Sequence, residues 1–191
     1  MSVTTSRSAR PGRSISAAAG IGPTLEPARH QTAFRYVMGA IRLSIGWVFL
    51  WAFLDKLFGL GRGTASKDAW INGGHPTLGF LKFASTGPLA ALYHGIAGSM
   101  AADWLFMLGL AGIGIALAAG VAMRIAAVAG ALLLMLMWSA VLPPATNPFI
   151  DDHVVYALTL LALVLVGAGH TLGLGHAWER LEFVRRYPIL K

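Results

Sequence analysis

Groups able to do chemistry gather at three points of an otherwise apolar chain. Asp55-Lys56 closes the first long apolar run, Asp103 opens the second, and Asp151-Asp152-His153 opens the fourth. Tyr156 follows His153 by one helical turn. An imidazole that titrates near neutral pH, beside carboxylates and a phenol, can hold a small carbonyl compound and exchange protons with it. A plainer reading fits the same residues: hydrated helix ends, with Asp103 and Asp152 favourably placed at N-termini. Each acid alone fits that reading well; the joint Asp-Asp-His-x-x-Tyr pattern fits it less well. A shared metal shell of Asp151, Asp152 and His153 is not expected, because consecutive residues on a helix splay apart.

Other chemistries fall away. There is no cysteine, which excludes disulfides, thiolate catalysis, iron–sulfur ligation and cysteine zinc sites. A haem between helices needs histidines at similar depth on facing helices. Here His153 and His170 flank opposite ends of one run, and His75 and His94 lie between runs. Gly59-Leu-Gly-Arg-Gly63 is too short for a phosphate loop. No acid sits mid-run, where a proton-coupled exporter needs one.

The elements that must position these groups are four apolar runs, about Tyr36 to Leu54, Asp103 to Gly120, Ile125 to Leu142 and Val154 to Ala168. Each is predicted to cross a bilayer as one α-helix, since a spanning backbone must satisfy its own hydrogen bonds. The expected fold is all-α: a four-transmembrane-helix bundle with a long extracytoplasmic loop containing short helices. Residues 1–33 read as a disordered basic cytoplasmic tail, 34–175 as the membrane domain, and 176–191 as a cytoplasmic interfacial tail. The loop helices are expected around Leu78–Phe83 and Leu89–Ile96, where they would cap a pocket opening from the membrane.

The net charge of +7 is unevenly spread. Arg7, Arg10, Arg13, Arg29, Arg35, Arg124, Arg180, Arg185, Arg186 and Lys191 fall on one side of the predicted membrane. Lys56, Arg62, Lys67 and Lys82 fall on the other. This is the positive-inside pattern and places both termini in the cytoplasm. Anionic headgroups account for the basic face, so the lipid bilayer, not nucleic acid, is the expected partner. Arg42 stands apart, inside the first run and roughly 9 Å from its start. It either serves a site or snorkels to headgroups, with Glu179, Glu182 or backbone carbonyls as partners. Trp47 and Trp51 share one helix face, and Trp51, Trp104 and Trp138 fit an interfacial aromatic belt. Gly109, Gly112, Gly114 and Ala118 should let helices approach closely.

Several segments together resemble the DoxX family of membrane proteins. They are Arg42-Leu-Ser-Ile-Gly-Trp47, Phe49 to Lys56, Trp70-Ile-Asn-Gly-Gly-His-Pro-Thr77, Ser85-Thr-Gly-Pro88, and Asn147 to His153 with Tyr156. The resemblance covers about residues 36 to 178. It implies a bacterial or archaeal plasma-membrane protein. Some relatives are the membrane subunit of a thiosulfate:quinone oxidoreductase, working with a separate partner subunit, and others associate with cytoplasmic redox or stress proteins. The leading expectation is therefore a quinone site near the outer face. Asp152, His153 and Tyr156 would do the acid–base work, Asp55 and Lys56 would meet the headgroup, and Trp47, Trp51 and the Gly-rich second helix would line the tail slot. Electrons would come from a soluble redox partner subunit, and self-association into a homo-oligomer is compatible with the same reading. The rivals are a non-catalytic scaffold recruiting soluble partners and, third, a small-molecule permease.

Overall fold

The computed structural model describes Met1 and residues 25–145 and 147–191, the first four helical residues for their backbone alone. In chain order the helices are α1 (Leu25–Phe58), α2 (Ala90–Ile96), α3 (Met100–Ala119), α4 (Met123–Ala140), α5 (Asp152–Leu165), α6 (Gly175–Trp178) and α7 (Glu182–Arg186). Short 3-10 turns and one π-helical turn, Phe80–Ala84, fill the connections, and there is no strand among the described residues. Residues 25–33 continue α1, so this part of the expected tail is helical; residues 2–24 lie outside the described residues.

Among the described residues three helices, α1, α3 and α4, are long and apolar enough to cross a membrane. α5 is apolar but has only 14 residues. That is roughly 21 Å of helix against a hydrocarbon core of about 30 Å. It stops where Gly167 turns left-handed at φ 65°, a conformation glycine adopts without strain, and a 3-10 turn at Ala168–His170 follows.

α1 packs along α3, α4 along α5, and the turn after α3 sets α4 beside it. Ile45, Phe49, Met107, Ile113, Leu117, Leu160 and Leu163 fill the centre. α1 and α3 cross at close backbone range. A Cβ on Gly114 would lie 2.9 Å from the Leu50 nitrogen, and one on Gly46 would lie 3.0 Å from the Ala118 nitrogen. Gly114 thus plays the expected role, whereas Gly112 faces open space and Gly109 only Leu133 at 3.9 Å. Leu105, Leu108, Val128, Leu158 and Leu165 are exposed. So wide an apolar surface suits contact with lipid, and water would not tolerate it.

Between α1 and α3, residues 59–99 lie over one end of the bundle. Their apolar patches coincide with the turns at Trp70–Asn72 and Phe80–Ala84 and with α2. Trp70 meets Trp104 of α3 edge-on at 4.7 Å. The Thr86 amide donates to the Ala140 carbonyl at the end of α4.

Candidate functional site

Asp55, Asp103 and Asp151 at this end each have a local use. The Asp55 carboxylate, buried at the end of α1, accepts from the Arg62 amide at 3.1 Å and the Gly63 amide at 2.9 Å. It thereby folds the chain back immediately after the helix. Asp151 precedes α5 and caps it, accepting from the amides of His153 (3.1 Å) and Val154 (3.4 Å) and from His153 Nδ1 (2.7 Å). Because Asp151 is the cap rather than a helical residue, its side chain turns back over the first turn. That brings ligand atoms of Asp151, Asp152 and His153 within 4.8 Å of one another, closer than the expected splay of consecutive residues. Asp152 itself is largely exposed, 3.6 Å from His153 Nδ1.

Among the described residues no hydrogen bond or ion pair joins Asp55 or Lys56 to this α5 group. Tyr156 is exposed on the next turn of α5. Trp47 and Trp51 sit with ring centroids 5.9 Å apart on the outer surface of α1, with Trp47 56 % exposed. They form part of the apolar exterior.

Asp103 does the most. It lies in the first turn of α3, only 2 % exposed, where the helix dipole favours a negative charge. Its Oδ1 accepts from the Thr77 amide at 3.0 Å and the Thr77 hydroxyl at 2.6 Å, and its Oδ2 lies 2.7 Å from His75 Nδ1. One carboxylate thus clamps the Gly74-His75-Pro76-Thr77 segment onto the helix. His75 is half exposed, so the clamp reaches from the surface to a buried oxygen.

Beneath this clamp is a slot of about 340 Å³ between α3 and α4, roofed by Phe80, Leu81 and Tyr93. Its walls include Phe106, Gly109, Ile113, Ala129 and Leu133, and its only polar side chains are Thr77 and Tyr93. Leu105, Leu132 and Leu136 belong both to the slot and to the exposed apolar surface, so it opens sideways. Its size and mostly apolar lining with a few polar groups match pockets that hold small molecules. Thr77, His75 and Tyr93 were not among the expected site residues. The sequence signal that bears on them is the apolar patterning of residues 78–96 together with an acid at the start of α3.

At the opposite end Arg42 is fully buried. Its Nη1 donates to the carbonyls of Leu117 and, at 3.0 Å, Ala118; its Nη2 donates to those of Thr171 (3.2 Å) and Leu172 (2.8 Å). Of the expected partners it takes the carbonyls, while Glu179 pairs with His170 at 3.0 Å. The last carbonyls of α3 have no partner within their helix, and a cation there also meets the negative end of the helix dipole. Arg42 therefore sits level with the end of α3, within the apolar stretch Arg29–Phe58 of α1. Residues 29–37 of α1 run on from it exposed.

No family model, curated protein or solved structure matches this chain.

Proposed function

We propose that this is a four-span membrane protein of DoxX type that binds a quinone in the slot between α3 and α4, as the membrane subunit of a redox complex. The slot carries this reading. A quinone needs an apolar channel for its tail and a few polar groups for its head. The lateral opening onto exposed leucines suits a molecule arriving through the bilayer. α5 with the turn after it completes the fourth crossing, its short length being matched by local thinning of the bilayer. The Lys/Arg distribution supports this orientation, with the slot in the outer half and both termini in the cytoplasm. The chain has no cysteine, and on this reading the electrons come from a partner subunit.

The slot reading moves the headgroup away from Asp152, His153 and Tyr156 and towards Thr77 and Tyr93. Lipid extraction of natively purified protein, followed by mass spectrometry, tests it: quinone should be retained stoichiometrically. Gly109→Phe, which fills the slot, should lower that content at least about tenfold, the loss expected when an apolar site is blocked. Folded protein without quinone, carrying a soluble partner instead, would support the scaffold alternative.

A further inference from the structure

At the end of the bundle opposite the slot, α1 and the turn after α5 enclose a notch of about 250 Å³. Thr32, Arg35 and Tyr36 form one wall, His170, Thr171 and Leu172 the other, and its surface is mainly polar. The helical repeat fixes which way the first wall faces. Gly39 of α1 abuts the second wall, since a Cβ on it would lie 3.1 Å from the Thr171 carbonyl oxygen. Arg42, one turn on, donates to the carbonyls of Thr171 and Leu172 at 3.2 and 2.8 Å. Tyr36, Arg35 and Thr32 precede Gly39 by three, four and seven residues, so they rise from that same face of the helix. Arg42 lies beneath the notch and does not line it.

The notch suits a negative charge. Arg35 is exposed, and among the described residues its side chain enters no hydrogen bond or ion pair. No acid lines the cavity, and Glu179 is held by His170, 3.0 Å from its Nε2. The carbonyls of Thr171 and Leu172, which would repel an anion, are turned to Arg42 instead. Arg42 is met by carbonyls and by no carboxylate, so its charge remains positive at the floor, roughly 10 Å from Arg35 along the helix.

Depth and surroundings identify what carries the opposite charge. Arg42 is level with the end of α3, so Arg35 stands about two turns beyond that apolar helix, where headgroups lie. Beside the lining residues in sequence, Phe34, Val37 and Leu174 are exposed, as is Leu172 itself. Acyl chains would cover these leucines and aromatics; a bare anion would not. We infer that the notch binds the phosphate of an anionic phospholipid, with Arg35 donating to the phosphate oxygens and the Tyr36 hydroxyl to the headgroup. Basic pockets at this level between membrane helices suit such headgroups. A choline or ethanolamine headgroup finds no acid there to meet its cation. This site stands apart from the quinone reading.

Native mass spectrometry of the full chain in neutral detergent, titrated with dihexanoyl phosphatidylglycerol or dihexanoyl phosphatidylcholine, measures the preference. Phosphatidylglycerol should bind at least about tenfold more tightly, the scale of one hydrogen bond to a charged group. Arg35→Gln removes an exposed side chain that holds nothing in the protein, and should bring the two lipids within about twofold of each other. Tyr36→Phe should weaken phosphatidylglycerol by about threefold. Arg185→Gln, an equal change of charge on exposed α7, should leave the preference intact. Inorganic phosphate at the lipid's own concentration should not displace it. Equal binding of the two lipids overturns the inference, as does an unchanged preference in Arg35→Gln. A loss in Arg185→Gln as large as in Arg35→Gln also overturns it, leaving only a diffuse basic surface. Displacement by inorganic phosphate overturns the lipid as ligand and leaves a site for the free anion.

Discussion

The two ends of the bundle solve one problem with opposite charges. At one end a buried arginine collects carbonyls from the last turn of α3 and from the segment after α5. At the other a buried aspartate in the first turn of α3 collects an amide, a hydroxyl and an imidazole from the segment before it. Each charge suits the sign of the helix end it occupies and satisfies backbone groups that would otherwise be stranded. The difference lies in what surrounds them. Arg42 is packed closely against two glycines: a Cβ on Gly120 would lie 3.1 Å from its guanidinium and one on Gly173 3.0 Å. Asp103 stands over a slot. A buried charge in a membrane helix is therefore weak evidence of a site by itself; the space beside it separates the two cases.

The largest expected effect follows at the crowded end. Arg42→Leu removes a donor from four carbonyls, of which Leu117 keeps the Gly120 amide, and should destabilise the fold by about 3 kcal/mol or more, since hydrogen bonds to a charged group are the strong ones. Arg42→Lys keeps a charge but loses the fork and should recover roughly half. Thermal unfolding in detergent ranks the three. If Arg42→Leu melts with wild type, the arginine is not the strut described. Asp103→Ala comes next, at about 2 kcal/mol for the bonds it removes. Its particular mark is local: hydrogen exchange at the Thr77 amide should speed up, and quinone retention should fall as the roof loosens. Exchange unchanged from wild type would show that the segment is held by its apolar contacts alone.

How far the sequence foretold these ends differs for physical reasons. Helix existence was legible, because unbroken apolar runs bounded by Gly, Pro and acids admit few alternatives, and α3 and α4 lie within a few residues of where they were expected. The start of the first helix was misread. Its apolar run begins near Tyr36, but helical geometry continues through polar residues to Leu25, and how Arg42 is partnered depends on where that helix meets the end of α3. Composition reports hydropathy and cannot report which residue is level with the end of a neighbouring helix. Trp47 and Trp51 show a second limit. In lipid both faces of a helix are apolar, so a shared face does not say whether it points inward. The partnership of Asp103 with Thr77 was hidden for a third reason: it depends on how forty residues of irregular chain fold back, and no periodicity encodes that.

The smallest expected effects belong to α5, and they bear hardest on where the ligand sits. Asp151 caps the helix with two amide bonds, so Asp151→Ala should cost about 1 kcal/mol, the ordinary worth of an N-cap. Asp152 makes no such bond, and its side chain is 72 % exposed. Its charge at the first turn is worth at most a few tenths of a kcal/mol when solvated, so Asp152→Asn should leave stability nearly unchanged. His153 is held by Asp151 at 2.7 Å and loses one hydrogen bond in His153→Gln, again about 1 kcal/mol. Tyr156→Phe removes only an exposed hydroxyl. With the ligand in the slot, none of these four should change retained quinone by more than about twofold, because none lines it. A quinone site built on the α5 group demands the contrary. There His153→Gln would remove an acid–base group and with it at least about tenfold of content or turnover, in protein that still folds. Measuring the four variants beside Gly109→Phe thus sets one end of α5 against the gap between α3 and α4. A tenfold fall in His153→Gln with little change in Gly109→Phe would return the site to the histidine and empty the slot of its proposed role.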